Sequence, residues 1–271
     1  MNTIETDNNS IRTAVREHYG KVAHAERGCG CAPSCCGPRA AETPDPSHVA
    51  HALGYSPDDT SAVPDGANLG LGCGNPLALA SLKEGQTVLD LGSGAGFDAF
   101  LSAKAVGALG RVIGVDMTPE MISKARANAR RGNYPNVEFR LGEIERLPVA
   151  DNVVDVVISN CVINLSPDKR AVFHEARRVL KPGGRIAVSD IVALQPIPPA
   201  MRDDLSAYAG CVSGAATVAE VKTLLTAAGF EQVRVTPKSE SAAFIREWFP
   251  GRGFEDYIAS ATIEAVKPFR A

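Results

Sequence analysis

The sequence predicts an α/β protein built on a mostly parallel sheet with helices on both faces. Three observations carry this. From residue 87 onward, short β-branched apolar runs alternate with amphipathic stretches of about 10–15 residues, the pattern of strand–helix–strand units with right-handed crossovers. The first run, TVLDLGS, breaks into GSGAGFD, a glycine-rich strand-to-helix junction. The next run, RVIGVDM, ends on an acid, Asp116, placed 24 residues after Gly92. Sheets of this kind bind ligands outside the carboxyl ends of their strands, which is where these features fall.

The elements follow in order. Residues 11–26 predict a short helix with Ile11, Val15 and Val22 roughly on one face. Residues 27–47 are rich in Gly, Pro, Ala and Cys and predict a loop or mobile arm. Residues 48–86 read as irregular, with LGLGCGNP at 69–76. After the first strand, FDAFLSAKAVG predicts a helix closed by Gly107. TPEMISKARANARRG predicts another, with Thr118 as N-cap, Pro119 in the first turn and Glu120 early in it. VEFRLGE is a third strand ending at Glu143, and VVDVVISN a fourth. KRAVFHEARRVL reads as a helix, KPGG as a turn and RIAVSDIV as the fifth strand. TVAEVKTLLTAAGF is a capped helix, EQVRVTP a strand and YIASATIEAVK a last strand. Three parts are expected: an N-terminal helix and Cys-rich arm over 1–68, a ligand-binding core over 69–192, and a C-terminal part over 193–271 that completes the sheet and the site.

Composition narrows the function. The 271 residues are 45% hydrophobic and 22% charged, enough for a substantial core. A net charge of −3 argues against nucleic acid or an anionic membrane as partner. No run of 18 apolar residues exists, and the polar N-terminus lacks the apolar core of a signal peptide. The expected location is cytoplasmic, where thiols stay reduced, so the seven cysteines are expected to be reactive or ligating. Four of them, Cys29, Cys31, Cys35 and Cys36, crowd into RGCGCAPSCCG. Metal binding, a disulfide, a redox switch and an inert tail all fit that stretch on its own.

The glycine loop offers more. Gly92, Gly94 and Gly96 permit a tight turn and close approach of a ligand to the backbone. Asp116 can accept both hydroxyls of a ribose, Asp90 lies within the strand end, and Glu143 falls where an adenine edge would lie. Taken with DNVVDVVISN and LKPGGRIAVSD, the segments VLDLGSGAGFD and GVDMTPEMISKAR resemble, in order and spacing, the class I S-adenosylmethionine methyltransferases over about residues 85–236. The resemblance implies S-adenosyl-L-methionine as cofactor and a Rossmann-like, seven-stranded sheet whose last strand runs antiparallel. It places Gly92, Ser93, Gly94, Gly96 and Asp98 at the methionine and ribose end, with Asp90 behind them. Asp116 falls on the ribose hydroxyls, Met117 against the adenine face, and Glu143 with Ile144 at the adenine rim. Asn160 can orient the methionine end. A nicotinamide dehydrogenase is the competing reading, and the GxGxG spacing and the KPGG turn count against it.

Three further cysteines remain. Cys73 lies between glycines, Cys161 directly follows the fourth strand, and Cys211 sits between the fifth strand and the next helix. Each alone can be a small buried hydrophobe. None forms a CxxC pair, and His18, His24, His48, His51 and His174 cluster with none of them. Three soft thiolates near a methyl donor suit a thiophilic acceptor. GLGCGNP, SNCVINL and YAGCVSGA closely resemble segments of the arsenite methyltransferases, as do VREHYG (15–20) and IREWFPGRGFEDYIASATIEAVKP (245–268). That resemblance implies that Cys161 and Cys211 hold As(III), delivered as arsenite or its glutathione adduct. Cys73 is then a third ligand or the thiol that becomes oxidised. It further implies attack of the arsenic lone pair on the methyl group. A disulfide between Cys73 and one of the N-terminal cysteines follows, and thioredoxin or glutathione reopens it. Which of Cys29, Cys31, Cys35 and Cys36 would pair stays open. A monomer is expected. A quinone-type methyltransferase would not need the three cysteines, and a non-catalytic arsenic-binding protein would not need the glycine loop with Asp116.

Overall fold

The structure, a computed structural model, describes residues 8–24, 45–202, 212, 214–248 and 250–269. Seven strands form one sheet in the order β3-β2-β1-β4-β5-β7-β6. They are β1 (Thr87–Leu91), β2 (Arg111–Asp116), β3 (Val137–Leu141), β4 (Val154–Asn160), β5 (Leu180–Ala193), β6 (Glu231–Pro237) and β7 (Ile258–Val266). Pairs among β1 to β5 are parallel, whereas β7 runs antiparallel to both β5 and β6. The crossovers reverse direction at β1 and β4, and the gap between their carboxyl ends is the position where such sheets take ligands.

Burial explains the strand composition. Val88, Leu89 and Leu91 of β1 and Val156, Val157 and Ile158 of β4 are 0–1% exposed, because helices cover both faces. One face packs against α5 (Phe97–Val106) and α6 (Pro119–Arg131) through Phe100, Val106, Ile122 and Ala125. The other packs against α7 (Lys169–Val179) through Val172, Phe173 and Ala176. Across the carboxyl end lies α1 (Asn8–His24), which packs on α6 and donates no strand.

The structure differs from the expectation in three places. Residues 48–86 are not irregular throughout: they hold α2 (Pro46–Ala52), α3 (Pro57–Ser61) and α4 (Leu77–Ala80). Helix α3 is set by a capping box in which Ser56 and Asp59 satisfy each other's backbone N–H groups. KPGG is not a free turn but a bulge inside one long β5. Leu180 pairs with Val154, the register shifts, and Arg185 pairs with Val156. The Lys181 ammonium holds the bulge on the Asp155 carboxylate at 2.8 Å. Thr118 stands at the N-cap of α6 without a side-chain capping bond. Instead Asp116 accepts the Thr118 N–H at 2.8 Å, an Asx turn that leads the chain into the helix. The helix at the C-terminal side, α9 (Val218–Ala227; a short α8, Pro199–Arg202, precedes it), carries the capping box Thr217/Glu220. The last helix is α10 (Ala242–Trp248).

Candidate functional site

Where the chain leaves β1, Gly92 and Gly94 adopt φ of +69° and +50°. A Cβ on Gly92 would lie 2.4 Å from Val162, so the turn closes only with glycine. A Cβ on Gly94 would meet nothing within 4 Å, so that backbone faces open space. The Gly94 N–H donates to Asp116 at 2.9 Å, tying the loop to the acid that ends β2. Gly96 has a different role: a Cβ there would strike Phe100 and Phe139, so it lets the helix pack on the sheet.

These residues open on a cavity of about 420 Å³, within the range of small-molecule sites. Asp90, Gly92, Ser93, Gly94, Asp98, Asp116, Met117, Ile144, Asn160 and Cys161 all line it. Glu143 does not. Its exposed carboxylate pairs with Arg12 at 3.7 Å and Arg16 at 3.5 Å, and Glu145, which Arg12 also reaches, lies in the wall instead. Those pairs latch α1, which contributes Arg12, Val15, His18 and Tyr19 to the roof. Trp248 of α10 closes one side.

The electrostatics of the wall are negative. Burial raises the Asp90 carboxyl well above its ordinary value, and its neighbours Asp98 and Asp116 push further in the same direction. Burial raises Asp98 to about 6, against the opposing bonds from Tyr55 and Asn160. Burial also raises Asp116, opposed by the Thr118 and Gly94 N–H groups. Three buried acids at one cavity favour a cationic ligand. Asp90 Oδ2 and Ser93 Oγ are buried in this wall without a hydrogen-bond partner. Orphaned acceptors, open backbone at Gly94 and net negative charge together fit S-adenosylmethionine, whose sulfonium and ammonium are both cationic.

The thiol side joins on through Asn160. Its carboxamide donates to Gly74 O at 2.8 Å, the Tyr55 hydroxyl at 3.0 Å and Asp98 at 3.3 Å, and accepts the Cys73 N–H at 2.9 Å. Tyr55 in turn donates to Asp98 at 2.6 Å, and burial with the adjacent Asp98 raises its phenol well above the usual range. Gly72, at φ +119°, is pressed so close to Asn160 that a Cβ would lie 2.7 Å from its amide. Ser260 donates to Cys73 O at 2.6 Å. Cys161 follows Asn160 at φ +62°, a left-handed conformation that costs a residue with a Cβ about 1–2 kcal/mol. Its N–H donates to Ser189 O at 2.8 Å.

Cys73 and Cys161 are 1% and 8% exposed, and their sulfurs and a carboxylate oxygen of Asp190 all lie within 4.8 Å of one another. Burial raises Asp190 to about 6, opposed by the N–H groups of Ile191 and Ile163. Cys211 and the cluster Cys29, Cys31, Cys35 and Cys36 lie outside the described residues. Sequence reading missed Asp190 and Tyr55. The ladder carries a signal for the first: Asn160 pairs with Ser189, so the residue after each stands beside the other.

A Rossmann-like sheet with this glycine loop and acid-lined cavity defines a methyltransferase, and residues 82–229 match the family described as Methyltransferase domain. Within that class the chain belongs to the arsenite methyltransferase family. It is 52% identical to an arsenite methyltransferase of Halobacterium salinarum over 98% of this chain and 69% of that protein. It is 34% identical to the human arsenite methyltransferase over 81% of this chain and 58% of that one. Among solved structures it resembles CrArsM, an arsenic (III) S-adenosylmethionine methyltransferase from Chlamydomonas reinhardtii. There the TM-score is 0.61 at 34% identity, covering 84% of this chain and 75% of that one. The chain thus spans between about half and three quarters of the length of these relatives.

Proposed function

We infer that this chain transfers methyl groups from S-adenosylmethionine to trivalent arsenic held on its own thiols, yielding methylated arsenicals and so detoxifying arsenite. The observation that carries the reading is the buried pair Cys73 and Cys161 beside a cavity whose acids suit a cationic methyl donor. Bound S-adenosylmethionine supplies an electrophilic methyl group to the lone pair of thiolate-bound arsenic. Asp116 and the loop Gly92–Gly94 would hold its ribose, Met117 and Ile144 its base, and Asp90, Ser93, Asp98 and Asn160 its methionine end.

What the chain's own residues do is mainly capture and orientation. A cysteine thiol displaces hydroxide from As(III) as its thiolate, and its proton leaves with that oxygen as water. The nucleophile at the methyl step is a lone pair, so no general base is required there. Cys73 is held through both its N–H and its carbonyl, by Asn160 and Ser260, and Cys161 by its fixed left-handed turn. Orientation of this kind can lower a barrier by about 7–11 kcal/mol. Cys211 is proposed as a further arsenic ligand. Methylation of the lone pair formally takes arsenic to the pentavalent state, and Cys73 with one of Cys29, Cys31, Cys35 and Cys36 is proposed to return the two electrons, closing a disulfide that thioredoxin or glutathione reopens. These two roles rest on the family resemblance. Thiol ligation suits a reducing, cytoplasmic setting; no described helix is long and apolar enough to cross a membrane.

The test is incubation of the folded chain with arsenite, a thiol reductant and S-adenosylmethionine, followed by arsenic speciation. Methylated arsenic is expected. Inorganic arsenite alone at the end would defeat the reading.

A further inference from the structure

Cys73 does not itself line the cavity, although its neighbour Gly72 and the second thiol, Cys161, do. What ties its loop to the donor side is one carboxamide. The Asn160 side-chain oxygen accepts the Cys73 N–H at 2.9 Å, and its nitrogen donates to Gly74 O at 2.8 Å. The backbone of residues 73 and 74 is thus gripped by both ends of one amide, and Gly72 lies flush against it.

That nitrogen is over-subscribed. An amide NH2 has two hydrogens, yet three acceptors stand within reach: Gly74 O at 2.8 Å, the Tyr55 hydroxyl at 3.0 Å and Asp98 Oδ2 at 3.3 Å. Asp98 is asymmetric in turn. Its Oδ1 accepts the Tyr55 O–H at 2.6 Å, whereas among the described residues Oδ2 receives only the long contact from Asn160. Asp98 lines the cavity and Tyr55 does not; Tyr55 is 4% exposed, with its ring held on Phe97 at a centroid distance of 4.8 Å. The Tyr55 hydroxyl therefore meets no ligand. It occupies one oxygen of Asp98, leaves the other for the cavity, and offers Asn160 a second acceptor. An ammonium arriving at Asp98 Oδ2 is a stronger donor than a 3.3 Å amide contact. It displaces that contact, and the two Asn160 hydrogens settle on Gly74 O and Tyr55.

We propose that the ring of Tyr55, Asp98 and Asn160 is a relay between the two sides of the site: the ammonium of the methyl donor on Asp98 commits the Asn160 amide to the Cys73–Gly74 backbone, so a donor-loaded chain binds trivalent arsenic more tightly than an empty one. The inference rests on the proposed methyl transfer and deepens it. Tyr55 is a positioning residue that touches neither ligand. Coupling is reciprocal, so arsenite raises donor affinity by the same factor. With one site empty, each ligand binds on its own terms; the effect belongs to the chain that holds both. A ring that served only as core packing would change stability when altered and leave the two affinities independent of each other.

The experiment measures the arsenite Kd of the full chain by equilibrium dialysis under reducing conditions, with no nucleoside, with saturating S-adenosylhomocysteine and with saturating methylthioadenosine. The first nucleoside keeps the ammonium and has no methyl group to give. The second lacks the amino-acid end altogether. One hydrogen bond strengthened at Asn160 corresponds to about a threefold to tenfold tightening by S-adenosylhomocysteine, with methylthioadenosine changing Kd less than about twofold. In Tyr55→Phe the tightening by S-adenosylhomocysteine is expected to fall to a factor of about one. No tightening by S-adenosylhomocysteine, equal tightening by both nucleosides, or a Tyr55→Phe factor as large as that of the unsubstituted chain overturns the proposal. The comparison of the two nucleosides uses the unsubstituted chain and decides even where Tyr55→Phe does not fold. Failure of that chain to methylate arsenite, with the coupling intact, would instead defeat the functional reading itself.

Discussion

The donor side of the site comes almost entirely from one strand–helix–strand unit. Its glycine loop, Asp90, Asp98 and Asp116 all lie on β1, α5 and β2 or the turns between them. The thiol side is assembled from three separate places: the loop before α4, the turn after β4, and β5 just past its last pairing with β4. On the first side, backbone groups and local turns do the binding, and each position answers to its immediate neighbours. On the second, side chains distant in sequence meet only because the sheet register brings Asn160 against Ser189 and folds the loop 72–74 over both. A local device tolerates change elsewhere in the fold. An assembled one depends on every strand in between.

The sharpest way to break the comparison is to remove one group from each side. Cys161→Ser should abolish arsenite methylation, by at least about a thousandfold, because the acceptor loses its orientation. Donor affinity, measured by equilibrium dialysis, should stay within about twofold. Asp116→Ala should do the reverse, weakening the donor about tenfold to a hundredfold and sparing arsenite affinity. If either variant damages both bindings equally, the two sides are not separable units.

A smaller effect separates two glycines of the same loop. Both take positive φ, so alanine at either costs about 1–2 kcal/mol in conformation alone. Gly92→Ala adds a 2.4 Å collision with Val162, the residue next to Cys161, whereas Gly94→Ala meets only open space. Chemical denaturation should therefore show Gly92→Ala less stable than Gly94→Ala by about 1–3 kcal/mol. Equal losses would mean that the loop relaxes away from the thiol side.

The smallest expected effect is a slope against pH. Asp98 is raised from 3.8 to about 6 in the folded chain, so the fold binds its proton more tightly than the unfolded chain does. Stability from this group is complete below about pH 4, declines as pH rises, and is lost above about pH 6, by no more than roughly 3 kcal/mol. Asp98→Asn should flatten that decline when melting temperature is followed from pH 4 to 7. Asp190, also raised to about 6, leaves a residual slope. An unchanged curve would show that folding does not raise the Asp98 carboxyl above its unfolded value.

The same contrast governs what could be read from sequence. The alternation of runs from residue 87 specified the strands, and GSGAGFD with Asp116 specified the donor loop, because each of those signals is local. The capping box of α3 was also local, in the SPDD of Ser56 and Asp59, yet it was passed over inside a stretch read as irregular. KPGG has the composition of a turn, and only the pairing of Leu180 with Val154 on one side and Arg185 with Val156 on the other makes it a bulge. Glu143 reads as a ligand acid from its place after β3. The arrival of Arg12 and Arg16 from α1 commits it elsewhere, and no strand pattern predicts that. Tyr55 and Asp190 belong to the same class: neither carries a motif, and both gain their meaning from residues more than 20 positions away.

The chain's only tryptophan, Trp248, stands in the wall of the cavity and stacks against Phe244 at 5.0 Å. Its emission is thus an intrinsic optical probe of this one site. Filling of the cavity and loading of the neighbouring thiols would each alter the surroundings of a single indole, so both equilibria can be titrated on the unlabelled protein, in either order, with no background from a second fluorophore of that kind.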